Sequence, residues 1–377
     1  MSDLKSKSYT LHPKSFDTIL IHICCSVDSH FFLQELREVY PKAKLIGFFY
    51  DPNIHPYSEY KLRLMDVERS CKSLDIELIE GEYDFESWLN GVKGYENEPE
   101  KGKRCELCFD IRVERSFKKA KELGVGYVTT TLLTSPKKSI EQLRVVGDKL
   151  ADNYSLEFLS PDFRKNGGTQ KQFLMAKEEK LYHQNYCGCL YALKKQRDMQ
   201  NKEASELFMP INRQIEPGCI EERIENYKKR VELEESGRKY EFVKSNFLNY
   251  RVLRAYLKVD GKTLPSYPLS YSVIKRKKVK LRVEKDINGI FYANRESLKF
   301  IELSYLNEKL SYSFESLKEL YFTPLEYKKE LFLRREIEKS DFSTSPIVVV
   351  DKVNFEKFEI YIDATIFEDV RENLVIF

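Results

Sequence analysis

The sequence predicts an α/β core built on a mostly parallel sheet with helices on both faces, followed by a C-terminal α+β domain. Two observations carry this reading. From residue 18 to about 200, short β-branched or aromatic runs alternate with longer charged stretches whose apolar residues recur every three or four positions. Beyond about residue 210 that alternation gives way to a charged helix and shorter strand candidates. The first pattern implies right-handed βαβ crossovers.

In chain order, "TILIHIC", "KLIGFFYD", "IELIEG", "YVTTTL" and "LEFLS" read as strands. "SHFFLQELREVY", "SEYKLRLMDVERSCKSL", "CELCFDIRVERSFKKAKEL" and "KSIEQLRVVGDKLADNY" read as the helices between them. A further helical stretch, "LYALKKQRDMQNKEASELF", leads to the proline-bearing "MPINRQIEPGC", which suggests a boundary near residue 210. In the second part "KVKLRV", "SPIVVVD" and "FEIYID" are strand candidates, with helical material in "SFESLKEL" and "PLEYKKELFLRREIEK". The expected organisation is an extension over 1–17, a catalytic α/β domain over 18–210 and an accessory domain over 211–377. A length of 377 residues agrees with more than one domain.

A formal net charge of +3 requires any nucleic-acid affinity to come from local basic patches. The first residues hold no apolar segment of signal-peptide length, and nowhere do about 18 uncharged apolar residues run together. A cytoplasmic protein without membrane association is expected. Its eight cysteines then read as thiols, metal ligands or redox groups rather than a disulfide framework.

Six of the cysteines fall in close pairs: Cys24 with Cys25, Cys105 with Cys108, and Cys187 with Cys189. Cys71, on the apolar side of its helix, and Cys219 read as small buried hydrophobes. Paired thiolates need a neutralising cation, and sulfur-rich sets select zinc or iron-sulfur centres over magnesium or calcium. Cys24 and Cys25 end a strand, where ligands of parallel sheets sit. Cys105 and Cys108 lie at a predicted helix start, where the dipole favours thiolate. Gly188 lets its pair turn tightly. Four ligands suffice for a closed zinc site, and one pair for a redox dithiol, so six thiols exceed both.

The loops around the cysteines are polar and basic. "YDPNIHPYSEYKLR" places His55, Tyr57 and Glu59 near the sheet's carboxyl edge, with Glu59 and Arg63 spaced as an i,i+4 ion pair. "EKGKRCELCFDIR" surrounds a cysteine pair with Lys103, Arg104 and Arg112; "TTTLLTSPKKS" brings Lys137 and Lys138. "FRKNGGTQKQF" adds Arg164 and Lys165 beside a Gly-Gly turn and reads as a flexible substrate-contacting loop.

"HICC", "DPNIHPYSEYKLR", "EKGKRCELCFDIR", "TTTLLTSP" and "YHQNYCGCLYAL", in this order and spacing, closely resemble the QueH type of epoxyqueuosine reductase over roughly residues 18 to 195. The resemblance implies a Rossmann-like sheet of the HUP type and a cobalamin-independent oxidoreductase acting at the last step of queuosine biosynthesis. Its expected substrate is tRNA carrying epoxyqueuosine at the wobble position, and its electron donor is unidentified. It also implies a [4Fe-4S] cluster with an additional mononuclear iron, held by Cys24, Cys25, Cys105, Cys108, Cys187 and Cys189. Many members carry another cysteine where this chain has Asp28, which is an iron ligand or a helix cap. Asp28, His55, Tyr57 and Glu59 are candidate proton donors. Lys103, Arg104, Arg112, Lys137, Lys138, Arg164 and Lys165 are candidate tRNA contacts. "YSVIKRKKVKLRV" in the C-terminal domain either extends that surface or is a solvated strand face.

Two other readings remain open from the residues. "CCSVDS" looks like the "SGGxDS" loop of ATP pyrophosphatases, some of which thiolate tRNA, although cysteines replace the glycines that let phosphate approach the backbone. A zinc-bearing RNA-binding protein without catalysis fits the cysteine spacing alone.

Overall fold

The computed structural model describes residues 18–136, 138–208 and 211–377. Contacts divide the chain between Glu203 and Ala204 into two compact units.

The first unit runs β1 (Thr18–Ile23), α1 (Ser26–Val39), β2 (Lys44–Phe49), α2 (Tyr57–Ser73), β3 (Glu77–Glu80), α3 (Phe85–Gly91), α4 (Lys103–Glu122), β4 (Tyr127–Thr130), α5 (Ile140–Tyr154), β5 (Glu157–Phe158), α6 (Gly168–Glu178) and α7 (Leu190–Met199). Its five strands pair in parallel in the order β3-β2-β1-β4-β5. The central strand is apolar on both faces, as a doubly covered parallel sheet requires. Ile19, Ile21 and Ile23 pack with Phe32, Leu36, Leu64 and Val67 of α1 and α2. Leu20, Phe48 and Val128 pack with Val113, Phe117 and Ala120 of α4 on the other side. Strand order reverses between β1 and β4, so the crevice outside their carboxyl ends is the expected ligand position.

Two local expectations are corrected. The first helix begins at Ser26, directly after the cysteine pair, rather than at Ser29. Residues 168–178 form α6 rather than a flexible loop: Gly167, at φ +82°, supplies the left-handed turn that starts it, and Gln172 and Ala176 are buried.

The second unit contains α8 (Ile220–Glu235), β6 (Tyr240–Val259), β7 (Lys262–Leu264), β8 (Tyr267–Pro268), β9 (Lys278–Ile287), β10 (Ile290–Ala293), β11 (Lys299–Glu302), α9 (Leu303–Leu310), α10 (Leu317–Phe322), α11 (Tyr327–Glu338), β12 (Ile347–Val350) and β13 (Lys357–Ile376). They build an eight-stranded mixed sheet in the order β7-β6-β13-β9-β10-β11-β12-β8. β11 and β12 pair in parallel; β6 and β13 pair antiparallel from Tyr240–Ile376 to Lys258–Glu359. Ile301, Ile347 and Val349 face the leucines of α9 to α11. Phe300, Val348 and Val350 join Leu257, Leu281, Phe358 and Ile360 in a core on the opposite face. The α+β expectation holds here, but β6 is not among the strands read from sequence.

Candidate metal centre

Each cysteine pair is delivered by a different local device. Cys24 follows β1, and Cys25 occupies the N-cap position of α1 with extended backbone and no side-chain capping bond. Cys105 and Cys108 lie in the first two turns of α4, three residues apart and so on one face. Cys189 is the N-cap residue of α7, and Gly188 before it adopts φ +101°. A Cβ at Gly188 would stand 2.8 Å from Ile54 Cγ1 and 3.2 Å from Ile54 Cα, so glycine is required there on two counts.

The Cys187–Cys189 turn is clamped to the segment after β2. Ile54 and Cys189 form an antiparallel bridge, and the His55 amide donates to the Gly188 carbonyl at 2.9 Å. Arg63, buried in α2, donates to the carbonyls of Tyr186 (3.0 Å) and Cys187 (3.3 Å). Its guanidinium is held by Glu59 at 2.8 Å, and the second Glu59 oxygen accepts from the Tyr182 hydroxyl at 2.9 Å. Glu59 thus positions Arg63, and Arg63 positions the cysteine turn.

These devices converge. Cys24, Cys25, Cys105, Cys108, Cys187 and Cys189 all line one cavity of about 150 Å³ at the sheet's reversal point. Cys24 Sγ lies 3.8 Å from Cys25 Sγ and 3.7 Å from Asp28 Oδ2. Ligand atoms of Cys24, Cys25 and Asp28 all fall within 4.8 Å of one another, close enough to share one metal ion. Asp28 is the third residue of α1, not its cap; Gln172 Nε2 holds its Oδ1 at 2.7 Å. Cys71 is buried in the core of α2, and Cys219 begins α8, where its sulfur accepts from the Glu222 amide at 3.3 Å.

The cavity wall is polar where it is buried. Arg104 Nε and Arg112 Nε are N–H donors without a partner among the described residues, as Asp51 Oδ2, Asn53 Oδ1 and Gln184 Oε1 are acceptors without one, while Trp88 hydrogen-bonds the Cys108 sulfur. Buried polar groups are seldom left unpaired, so such a ring around six thiols fits a polar, sulfur-liganded group. A hydrogen bond from Cys189, aided by Lys138, lowers the Cys187 thiol to about 5, while Cys189 is pushed up. Burial pushes Cys108 up against the pull of Arg112. Burial works against the charge on Lys138, yet the Cys187, Cys105 and Cys108 sulfurs outweigh it and raise its pKa. Burial raises Asp28 and carries Asp51 up to about 7, the latter against Arg112 and Arg63.

The remaining sequence-based candidates divide. Arg104, Arg112 and Lys138 line the cavity. Arg104 also donates to the carbonyls of Tyr95, Glu96 and Glu98, and Arg112 pairs with Asp51. Arg164 donates to the carbonyls of Ser135 and Lys138, both at 3.0 Å, and so shapes the loop that carries Lys138. Lys103 and Lys165 are exposed, and Lys137 lies outside the described residues. His55, stacked 4.8 Å from Phe85, and Tyr57, which is 47% exposed, are not on the cavity wall; nor is Glu59. Sequence reasoning missed Asp51, Asn53, Trp88, Gln172, Phe173, His183 and Gln184. All but Trp88 sit inside motifs already singled out, and that proximity was the available signal.

Comparison with known proteins assigns the chain. A family model described as epoxyqueuosine reductase QueH matches residues 19–195. "Epoxyqueuosine reductase QueH" of Helicobacter pylori is 41% identical over 350 residues, covering 89% of this chain and 94% of that protein. That span exceeds the first unit, so the relative shares sequence with the second unit as well. The protein of the same name from Thermotoga maritima is 35% identical over 184 residues, 48% of this chain and 93% of its own. Among solved structures, "U34-tRNA thiolase NcsA from Methanococcus maripaludis with its [4Fe-4S] cluster" aligns at 18% identity over 58% of this chain and 74% of that one, with a TM-score of 0.34. The match across most of the Helicobacter protein settles the family: this chain belongs to the epoxyqueuosine reductases of the QueH type.

Proposed function

We propose that this protein is a cytoplasmic oxidoreductase that reduces epoxyqueuosine to queuosine at the wobble position of tRNA. The observation that carries this reading is the convergence of three cysteine pairs, spread from Cys24 to Cys189, on one cavity in a chain of this family. The six cysteines would hold a [4Fe-4S] cluster and an additional iron, and Asp28, its Oδ1 fixed by Gln172, would offer an oxygen ligand. Such a centre would supply the two electrons that, with two protons, remove the epoxide oxygen as water. The electrons come from an external donor, and no cobalamin takes part.

The chain's own residues supply the rest. Arg112 and Lys138 stand beside the thiols and offset their negative charge. Asp51, with one carboxylate oxygen buried on the wall and without a partner among the described residues, delivers one of the two protons in place of the His55, Tyr57 and Glu59 candidates outside it. The modified base enters splayed from the anticodon loop, as single-stranded RNA bases are read. Phe173 and His183, exposed on the cavity wall with ring centroids 6.1 Å apart, offer it aromatic faces.

The test is anaerobic purification and reconstitution, followed by assay of epoxyqueuosine-containing tRNA with a chemical reductant and no ATP. Queuosine is expected in the product, with loss of iron and of product in Cys24→Ser. Full activity from metal-free or zinc-only protein would refute the proposal, and a requirement for ATP would favour thiolation chemistry.

A further inference from the structure

We infer that the second unit carries an RNA-backbone binding groove on the open face of its sheet, formed by Lys258, Lys280, Arg282 and Lys357. The inference rests on the reading of this protein as a tRNA-modifying enzyme. Register places these side chains. Lys258 pairs with Glu359, which pairs with Lys280, and Lys357 pairs with Arg282, so all four lie on the same face of β6, β13 and β9. The alternate residues Leu257, Leu281, Phe358 and Ile360 fill the core on the other face. The four cations line a single concavity of about 550 Å³, together with Asn294 and two carboxylates, Asp260 and Glu359.

Charge on this face is unbalanced. Glu359 is engaged by Lys278 at 3.1 Å, and Asp363 by Lys277 at 2.8 Å. Lys258, Lys280, Arg282 and Lys357 form no ion pair among the described residues. Four cations against two carboxylates, one of them already engaged by Lys278, leave the concavity net positive, and a polyanion relieves the repulsion while releasing its own counterions.

Aromatic rings adjoin the groove on the same face. Tyr256 and Tyr361 stack with centroids 5.1 Å apart and planes at 4°. Arg254 lies 5.6 and 5.7 Å from these two rings, and Lys258 lies 5.2 Å from Tyr256. Rings beside a cationic track are the arrangement that holds single-stranded or looped nucleic acid, bases on the rings and phosphates on the cations. An anionic membrane would meet the charges but leaves the flat tyrosine stack without a use, so RNA is the occupant the surface favours.

The experiment uses the full chain with epoxyqueuosine-containing tRNA, comparing wild type with Lys280→Glu/Arg282→Glu. A milder Lys280→Gln/Arg282→Gln variant is carried beside it, and iron content is measured on each. The groove predicts at least tenfold weaker tRNA binding near physiological salt, a raised KM for tRNA, and a slope of log affinity against log salt that falls by about 1.4 to 1.8 for two lost contacts. Unchanged affinity and slope in both variants, at wild-type iron content, would overturn the inference and leave the catalytic reading intact. Loss of binding to phosphatidylserine vesicles with tRNA affinity unchanged would also overturn it, in favour of a membrane. A wild type that binds tRNA through this groove yet reduces no epoxyqueuosine would fail the catalytic reading instead.

Discussion

Replacing Arg63 by methionine tests whether the Glu59–Arg63 pair positions the cysteine turn. The substitution keeps much of the apolar stem but strands the Glu59 carboxylate, whose side chain is 1% exposed, without its counter-charge. Removing one partner of a buried pair costs about 3–5 kcal/mol. The carbonyls of Tyr186 and Cys187 also lose their donors, adding about 1 kcal/mol each. The total, about 5–7 kcal/mol, is comparable with the whole stability of an ordinary domain, about 5–15 kcal/mol. Glu59→Leu/Arg63→Met removes both charges and should recover about 2 kcal/mol or more relative to Arg63→Met, because no uncompensated ion remains. The assay is urea denaturation followed by fluorescence of Trp88, the sole tryptophan, which is buried on the cavity wall and so reports on the first unit alone. An Arg63→Met midpoint equal to wild type, or a double variant no better than the single, would refute the reasoning. Glu59→Gln separates structure from chemistry: its activity should fall only as far as its iron content falls. A folded, fully iron-loaded, inactive Glu59→Gln protein would return Glu59 to catalysis.

Gly188→Ala should cost about 1–3 kcal/mol from backbone strain at φ +101°, with further loss from the contact with Ile54, and should lower iron per chain on anaerobic reconstitution. Cys71→Ala and Cys219→Ala should retain wild-type iron, whereas Cys105→Ala should not; metal analysis of the three variants decides whether cavity position sorts the thiols. In α5, Gly147→Ala should destabilise the first unit by about 1–3 kcal/mol although alanine favours helix, because its Cβ would meet the Phe158 ring at 2.1 Å; the Trp88 urea midpoint measures it. Glu330→Ala should destabilise the second unit by about 3–5 kcal/mol, since Gln214, Tyr267 and Ser270 all donate to that buried carboxylate; amide hydrogen exchange in α11 and β8 reads the loss.

The sequence by itself determined the parallel sheet of the first unit, because apolar runs such as "TILIHI" and the helical periodicity between them are local signals of burial on two faces or one. It also separated the six paired cysteines from Cys71, since spacing and helical face are properties of the chain alone. What it left open depended on contacts distant in sequence. Whether Cys24, Cys105 and Cys187 meet is a question of sheet order and loop clamping, answered by the reversal between β1 and β4 and by Arg63 holding the turn across more than a hundred residues. Asp28 read as cap or ligand until the helix start at Ser26 placed it inside the first turn, facing Cys24. Glu59 read both as the i,i+4 partner of Arg63 and as a candidate acid; the ion pair forms as spaced, and the second oxygen is taken by Tyr182, a partner distant in sequence. The strand β6, with charges spaced through "FLNYRVLRAYLKV", gives no clean alternation, and its pairing along β13 decides it. Strand pairing and charge pairing are satisfied by partners the local chain does not contain, so only the tertiary structure decided them.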